Sequence, residues 1–467
     1  MAGGRVRAGL SALGACAVLV SMFAVVPASA AAGAAPHRVS SAPSAGAPVA
    51  GRPAVRPRVG PVSVVSRGCR GPNAEAEQAV DYPYVYEAWI GCGGIGFARS
   101  TDGGRRFGHP FRIPGSAAPG PFPRDLPKNG WDPAIAVAPD GVVYVSYMID
   151  RRGYAHPVVA ASDDHGASFA RVSQVMPPAR YKHNWGDRDF IAVGSHGTIY
   201  LTWVYGRSLD PRHFYSNAVI QKSGDGGKTW SRITPVSPGY PDHGAKIAAA
   251  PLLVEPGGRI DVLMWMDAVP GARHYVLPPG HDYFTSSADG GRSWSRPARV
   301  GPAADRIDAR VVFWIDAAIG IDAAGTLYAT WDTQRPGGDT GWLSYSADHG
   351  RTWSPARRVT PDHDAAEHLM AVAGGRPGIA YVAWLSDNSP RGFAQYLRPF
   401  SICTGWLSAP VRVSRMFGNP KGWPGDTIGI SLLPGAPSSA ERVMLSWGTA
   451  VRGPASGQIW AAQVRHA

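Results

Sequence analysis

The sequence predicts an all-β protein. We expect a β-propeller of seven blades, each with four antiparallel strands, closed into a ring by an N-terminal strand; six blades are the alternative. Three observations carry this prediction. A nine-residue turn motif occurs five times, a hairpin pattern occurs seven times, and the unit that combines them recurs about every 60 residues.

The turn motif follows the pattern Ser-x-Asp-x-Gly-x-x-Trp/Phe, as in "SADGGRSWS" from Ser287 and "SADHGRTWS" from Ser346. The Asp carboxylate can accept hydrogen bonds from backbone N–H groups at a hairpin tip. The Gly permits a positive φ, and the aromatic ring anchors the tip. We therefore interpret the five aspartates as structural rather than catalytic; they are Asp102, Asp164, Asp225, Asp289 and Asp348.

The hairpin pattern is clearest in "WDPAIAVAPDGVVYVSY" from Trp131, "DRDFIAVGSHGTIYLTW" from Asp187 and "WIDAAIGIDAAGTLYATW" from Trp314. Each copy has an apolar run, a Gly-containing turn and an alternating run that ends in an aromatic residue, which is typical of a β-hairpin. The seventh copy is followed by one further strand only. The segment "RVGPVSVVS" from Arg58 can supply the missing strand, and closure of this kind removes exposed sheet edges.

The N-terminal residues predict export. Arg5 and Arg7 precede the apolar run "LVSMFAVVP" and the small residues "ASA" that end at Ala30. We expect a signal peptide at residues 1–30, a disordered Ala/Pro/Arg-rich linker at 31–60 and the propeller at 61–467. The protein is then secreted and extracellular. "LGAC", ending at Cys16, weakly resembles a lipoprotein box, so lipidation and plain secretion both stay open.

The formal charge of +12 comes largely from the N-terminal end. Eight arginines precede Glu75, the first acidic residue; without them 38 basic residues face 34 acidic ones, leaving about +4. This balance argues against a nucleic-acid-binding domain. After Ala30 no apolar run is long enough to span a bilayer. We expect a monomer.

The cysteines predict one disulfide. Exported proteins form disulfides readily, and three of the four cysteines follow the signal peptide. Cys69 and Cys92 fall in loops on the same face of the predicted propeller, whereas Cys403 falls on the other face. We therefore pair Cys69 with Cys92.

The five turns resemble the Asp-boxes, or BNR repeats, of the sialidase superfamily. Over residues 61–467 the chain resembles a secreted sialidase-like propeller, and that resemblance implies the fold. Sialidases also share three arginines that hold a carboxylate, a Tyr–Glu nucleophile pair and an Asp acid/base. Here "FRIP", from Phe111 to Pro114, follows the first turn instead of preceding it, so we interpret Arg112 as an outer-strand residue. No Tyr–Glu pair can be assigned.

The face opposite the turns gathers the starts of the inner strands around the central channel, which is where ligands of such folds are expected. Six of the seven repeats place a carboxylate there: Glu75, Asp132, Asp189, Asp316, Glu367 and Asp426. Each of them could cap a loop or bond the neighbouring blade. Alternatively, the cluster could serve a ligand or cation that compensates the like charges.

On the second interpretation, Asp132, Asp189 and Asp316 are candidate catalytic residues. The candidate ligand-binding residues are Trp131, Trp185, Arg188, Arg310 and Trp314. No cofactor is required, although an oxygen-only cluster would suit Ca²⁺. The His- and Asp-rich "PDHDAAEH" from Pro361 matches no zinc spacing, and we interpret it as a solvated loop with no metal.

Three functions are compatible with these features. The first is a secreted propeller that binds an extracellular glycan or cell-wall polymer through the channel face. The second is an exo-glycosidase of sialidase type, in which two carboxyl groups act as acid and base. The third is a protein-interaction scaffold. The sequence does not decide whether the protein is an enzyme.

Overall fold

The computed structural model describes the chain over fifteen ranges. They are residues 56–117, 130–150, 155–176, 184–210, 213–238, 246–267, 280–301, 317–333, 340–361, 368–387, 391–415, 418–419, 423–435, 440–450 and 457–466. All regular structure in these ranges is β-strand. Within them, no helix is long and apolar enough to cross a bilayer.

The strands follow one another in the order expected for repeated four-stranded units. In chain order they are β1 (Arg58–Val64), β2 (Ala74–Asp81), β3 (Tyr84–Gly91), β4 (Gly94–Ser100), β5 (Phe111–Arg112), β6 (Trp131–Val137), β7 (Val143–Asp150), β8 (Ala155–Ser162), β9 (Arg171–Gln174), β10 (Asn184–Val193), β11 (Ile199–Asp210), β12 (His213–Ser223), β13 (Thr234–Pro235), β14 (Lys246–Ala249), β15 (Leu252–Val254), β16 (Ile260–Asp267), β17 (His281–Ser287), β18 (Ala298–Val300), β19 (Ala318–Ile321), β20 (Leu327–Thr333), β21 (Thr340–Ser346), β22 (Arg357–Arg358), β23 (His368–Gly374), β24 (Ile379–Asp387), β25 (Phe393–Ser401), β26 (Gly405–Trp406), β27 (Val411–Arg412), β28 (Gly429–Leu433), β29 (Glu441–Ala450) and β30 (Gly457–His466).

These strands form seven blades, so the seven-bladed prediction is confirmed and the six-bladed alternative is wrong. Blades 1, 2 and 5 are the sheets β2–β5, β6–β9 and β19–β22. Blade 3 runs from β10 to β13 and blade 4 from β14 to β18; a single parallel bridge, Ser216 to Lys246, joins them. Blade 6 comprises β23 to β27. Each innermost strand packs against that of the next blade, and β28 packs against β2, which closes the ring.

The closing strand is β1, as predicted from "RVGPVSVVS". It pairs antiparallel with β30, with Val62 opposite Ala462 and Val64 opposite Trp460, so blade 7 has the order β1-β30-β29-β28. The Val65 N–H then donates to the Ile459 carbonyl at 2.8 Å. β1 begins at Arg58, slightly before the expected start of the propeller at residue 61.

The core repeats with the blades. The second strand of every blade carries a buried aromatic residue at an interior position, because the alternation of that strand turns this position inward. These seven side chains are at most 4% exposed: Trp89, Tyr147, Trp203, Trp265, Trp331, Trp384 and Trp447. The hairpin pattern that ended in an aromatic residue therefore marked the core of each blade.

Each of the five motif turns, here called the aspartate turns, joins the third and fourth strands of its blade. In the fourth turn, Asp289 Oδ1 accepts the N–H groups of Arg292 and Ser293 at 3.0 and 2.9 Å and the Ser287 hydroxyl at 2.8 Å. The Ser293 and Ser287 hydrogen bonds hold the pKa of Asp289 below its ordinary value. The carboxylate is thus occupied by its own turn.

The aspartate turns also fasten each blade to the preceding one. Arg99 of blade 1 donates to the His165 carbonyl in the second turn at 2.8 Å. Lys222 of blade 3 donates to the Gly290 carbonyl in the fourth turn at 2.8 Å. Gln463 of blade 7 donates to a carbonyl of the first turn. The turns therefore stabilise the ring as well as the hairpins.

The predicted disulfide between Cys69 and Cys92 is present. Cys69 lies between β1 and β2, and Cys92 lies in the turn between β3 and β4. The bond therefore ties the closing segment of blade 7 to blade 1 on the face opposite the aspartate turns.

Replacing Asp289 with Ala should lower the melting temperature by several degrees without unfolding the protein. The change removes the acceptor for two backbone N–H groups of an exposed turn, which water replaces only in part. The melting temperature of Asp289→Asn, which keeps one acceptor oxygen, should lie between those of the parent and Asp289→Ala. Differential scanning calorimetry of the three proteins provides the measurement; an alanine variant as stable as the parent would contradict the structural role.

Replacing both Cys69 and Cys92 with Ser should lower the free energy of unfolding by roughly 2–4 kcal/mol, since the crosslink restricts the unfolded chain. Denaturant unfolding of the parent under oxidising and reducing conditions should reproduce the difference. If reductant lowered the free energy of unfolding of the double variant as much as that of the parent, the Cys69–Cys92 bond would not be the cause of the loss.

Candidate functional site

Three β-bulges mark the channel face at the starts of the inner strands of blades 1, 2 and 3. The register shifts between Ala74 and Glu77 in β2, and at the corresponding points of β6 and β10. The bulge residues Glu75, Asp132 and Arg188 have φ values of 56°, 47° and 51°. Such backbone costs of the order of 1 kcal/mol per residue and is found where a side chain must be redirected.

The three bulge residues form a relay from blade to blade. The Glu75 N–H donates to the Pro424 carbonyl of blade 7 at 3.1 Å. Glu75 Oε2 accepts the Asp132 N–H at 3.2 Å, and Asp132 Oδ2 accepts the Arg188 N–H at 2.9 Å. Each carboxylate therefore bonds the next blade, which is the structural alternative raised from the sequence.

Arg188 connects the end of this relay to blade 7. Its guanidinium pairs with Asp426 at 2.5 Å, although blades 3 and 7 are not neighbours in the ring. Trp423 Nε1 donates to Asp426 at 3.1 Å, and Trp131 Nε1 donates to Asp187 at 3.2 Å. We call Glu75, Asp132, Asp187, Arg188 and Asp426 the mouth network.

The mouth network holds four carboxyl groups and one guanidinium. Burial raises the pKa of Glu75 well above its ordinary value; the Asp426 carboxylate adds to the rise, and Arg188 opposes it. Burial also raises the pKa of Asp132, with further rises from Asp187 and Glu75. The pKa of Asp426 is raised by burial and lowered in part by Arg188. The network therefore combines carboxyl groups whose pKa values are raised with a guanidinium that is paired with Asp426.

Further acids with raised pKa values lie on β2 and β3 of blade 1. Glu87 is fully buried and accepts the Gln78 amide at 2.6 Å. Burial raises the pKa of Glu87 to about 8, and likewise that of Glu77 to about 8. These neutral acids provide a buried polar layer without a charge that needs a partner.

The structure brings Glu75, Asp132 and Asp426 together as expected, but it corrects the assignment of Asp189. Arg188, not Asp189, is the counterpart of Asp132, because each directly follows the last pair before the bulge of its strand and has a positive φ. The bulge is the same in both strands, so the error came from a count that allowed either four or five residues before the last valine. Asp189 is 3% exposed, and burial raises its pKa while the Ser146 hydroxyl opposes the rise. It lies among the buried acids rather than in the mouth network.

The aromatic candidates are less open than the sequence suggested. Trp131 is 7% exposed and packs in the core between blades 1 and 2, so it offers little ring surface to a ligand in this conformation. Trp423, partly buried, packs beside it. Trp185 lies on β10 opposite Gly206, but its side chain is outside the description. Arg310, Trp314, Asp316 and Glu367 lie outside the described residues.

Arg112 lies on β5, the outermost strand of blade 1, as predicted. Most of the "PDHDAAEH" segment is outside the described ranges. In the described part of the chain, no group of three or more His, Cys, Asp or Glu side chains is arranged to hold a metal ion. Calcium binding stays a prediction.

One member of the mouth network escaped the sequence analysis. Asp187 was not singled out, whereas Arg188 was predicted to bind a ligand, which stays a prediction. The available signal was the alignment of "AEAE", "WDPA" and "DRDF" at the starts of β2, β6 and β10. The aligned sequences alone do not reveal the bulge, so they do not show which residue of each group turns toward the channel.

Comparisons with solved structures identify the same fold. An ulvan lyase of polysaccharide lyase family PL25, bound to GlcA(1-4)Rha3S, has a TM-score of 0.56 at 14% identity, over 87% of this chain and 94% of that one. The NanB sialidase of Streptococcus pneumoniae has a TM-score of 0.50 at 10% identity, over 75% and 69%. No family model and no curated protein sequence matches the chain. The fold is a sialidase-like β-propeller.

Replacing Glu87 with Gln should change how stability depends on pH. Glu87 is protonated in the fold up to about pH 8 but ionises near 4.5 when unfolded, so its contribution to stability declines as pH rises through that window. Glutamine keeps the acceptor for Gln78 and does not titrate. The variant should match the parent near pH 5 and gain on the order of 1 kcal/mol per pH unit above it, up to about pH 8.

Urea unfolding of parent and variant across this range measures the difference. The other buried acids titrate in both proteins, so their contributions cancel in the difference in unfolding free energy. A constant difference between pH 5 and pH 8 would mean that Glu87 is already ionised in the fold.

Proposed function

We propose that this chain is a secreted propeller that binds an extracellular glycan at the mouth network. The observation that carries the proposal is the set of three strained bulges that direct Glu75, Asp132 and Arg188 into one network. On the opposite face, blades are joined by backbone carbonyl acceptors and by single carboxylates, Asp322 and Glu441, which accept N–H groups of blade 6. Joining the blades at the mouth does not by itself require four carboxyl groups around one guanidinium. Such a cluster is costly to bury unless its charge is compensated, and a bound ligand would supply that compensation.

The charge of the network favours a saccharide without acidic groups. Asp187 and Arg188 are its partly exposed members, and Trp423 lies beside them. Carboxylate oxygens accept hydrogen bonds from sugar hydroxyls or ammonium groups, whereas they repel a sugar carboxylate. Arg188 is already paired with Asp426. Among the described residues of the mouth network there is therefore no trio of arginines that would hold a sialic acid carboxylate.

The comparisons support the glycan class. The ulvan lyase and the sialidase that share the fold are both named for saccharide substrates. Those names do not identify the sugar here, because similarity at this level of identity reflects the fold. The exported N-terminus predicted from the sequence and the disulfide are consistent with an extracellular or cell-wall polymer.

Glycoside cleavage at the same network is the second candidate. Burial and neighbouring carboxylates raise the pKa of Asp132, which favours the protonated form that a general acid needs. A protonated carboxyl beside an ionised one is the requirement for acid/base cleavage of a glycosidic bond. Replacing Asp132 with Asn should then abolish release of reducing ends while binding persists. A fluorogenic sialoside tests the sialidase form of this activity.

The binding proposal is tested with Asp187→Asn. Glycan-array screening with neutral, aminated and acidic saccharides first selects a ligand, and titration calorimetry then compares the variants. Asp187→Asn should raise Kd by about tenfold or more, since it removes a charged acceptor at the exposed edge of the network. Asp163→Asn removes an exposed carboxylate on the aspartate-turn face and should leave Kd unchanged.

Circular dichroism and melting temperature establish that each variant is folded. Wild-type affinity in a folded Asp187→Asn protein would exclude the mouth network as the binding site. A selected ligand that is acidic would contradict the charge argument.

A further inference from the structure

A second cleft opens on the aspartate-turn face, at the seam between blades 7 and 1. Its volume is about 570 Å³, and we call it the seam cleft. The start of β1, the first aspartate turn and the end of β30 line it. Gln463 of β30 and the Ser63 hydroxyl of β1 both donate to carbonyls of this turn, so the walls are joined to one another.

The lining of the seam cleft is strongly basic. Four exposed arginines line it, Arg58, Arg105, Arg106 and Arg465, against one carboxylate, Asp102. Asp102 accepts the N–H groups of Arg105 and Arg106 at 3.0 and 2.9 Å and is committed to the turn. Within the described part of the chain, no ion pair within 4 Å and no side-chain hydrogen bond engages the four guanidinium groups. Arg105 alone among them acts electrostatically on Asp102.

The strand register increases this concentration of charge. Arg58 lies directly opposite Arg465, and Arg465 lies directly opposite Arg442 on β29. Like charges at directly opposite positions of a sheet repel. Arg442 is held by the Pro434 carbonyl at 2.7 Å and lies over the Tyr82 ring at 5.4 Å. Nothing comparable restrains Arg58 and Arg465, so the ladder carries a repulsion that an anion would relieve.

The equivalent cleft between blades 2 and 3 does not have the same excess of positive charge. That cleft, of about 340 Å³, contains Arg171 and Lys228. Arg171 is neutralised by Asp163 at 2.7 Å and donates to the Gly226 carbonyl at 2.8 Å. The two clefts have the same architecture, but only the seam cleft presents several unpaired guanidinium groups.

We propose that the seam cleft binds a polysaccharide that carries sulfate or carboxylate groups. Guanidinium groups donate paired hydrogen bonds to such oxyanions, and several of them spaced along a cleft suit a repeating anionic chain. Tyr82, 46% exposed, lies against Gly103 of the first turn and offers an aromatic surface beside the arginines. This site is on the other face of the ring from the mouth network and does not depend on the function proposed there.

The test uses the whole chain after Ala30 and three polymers: dextran sulfate, polygalacturonate and neutral dextran. The cleft variant carries Arg58→Gln and Arg465→Gln. The matched control carries Lys228→Gln and Arg292→Gln, which remove the same charge from the exposed positions of two other aspartate turns. Arginines upstream of β1 remain in every protein, so their contribution cancels.

The cleft variant should bind dextran sulfate or polygalacturonate with a Kd at least about tenfold higher than the parent, with a weaker dependence on salt. The control should stay near the parent, and neutral dextran should not bind. Comparing the two anionic polymers distinguishes sulfate from carboxylate recognition. Melting temperatures show that both variants are folded.

Three outcomes would overturn the proposal. Equal losses in the cleft variant and the control would indicate diffuse attraction to the whole face. Parent-like binding by the cleft variant would exclude the cleft. Binding of single-stranded DNA at least as tightly as either polysaccharide, with the same sensitivity to the cleft substitutions, would contradict the ligand class.

Discussion

Closure of the ring is the constraint on which the rest of the structure depends. Six of the seven blades take all their strands from consecutive sequence, whereas blade 7 needs β1 from the other end of the chain. Hydrogen bonds between β1 and β30 supply that closure. The Cys69–Cys92 bond reinforces it on one face, and the Gln463 contact to the first aspartate turn reinforces it on the other. Without these links, the edges of blade 7 would be open to other chains.

Both faces of the ring use carboxylates to join their blades. On the aspartate-turn face, basic or amide side chains donate to backbone carbonyls, and Asp322 and Glu441 accept backbone N–H groups of blade 6. On the channel face, Glu75 and Asp132 accept backbone N–H groups across the blades. The channel face differs because its carboxyl groups gather around one guanidinium and because burial raises the pKa of Glu75 and Asp132.

The sequence allowed the fold to be predicted because its signals are local. Alternation in each hairpin and the chemistry of each turn are written within a few residues, and their repetition gives the blade number. The site was predicted only in part, since a β-bulge has no local sequence signature comparable to those of the hairpins and turns. A count from the end of the strand that allowed four or five residues placed Asp189 beside Asp132, whereas the strand register and the positive φ give that position to Arg188. Similarly, no local pattern shows that Trp131 is covered by neighbouring blades.

Net charge was the sequence property that predicted least about the two candidate binding surfaces. A balance of about +4 for the chain from Glu75 onward does not show that charge is separated into two opposite regions. The mouth network concentrates acids around Arg188, and the seam cleft holds four arginines against the single carboxylate of Asp102. Because charged groups on exposed surfaces interact over only about 10 Å at moderate salt, these regions act independently of the total. Segregated charge of this kind is set by strand register and turn position, and it therefore becomes visible only in the folded ring.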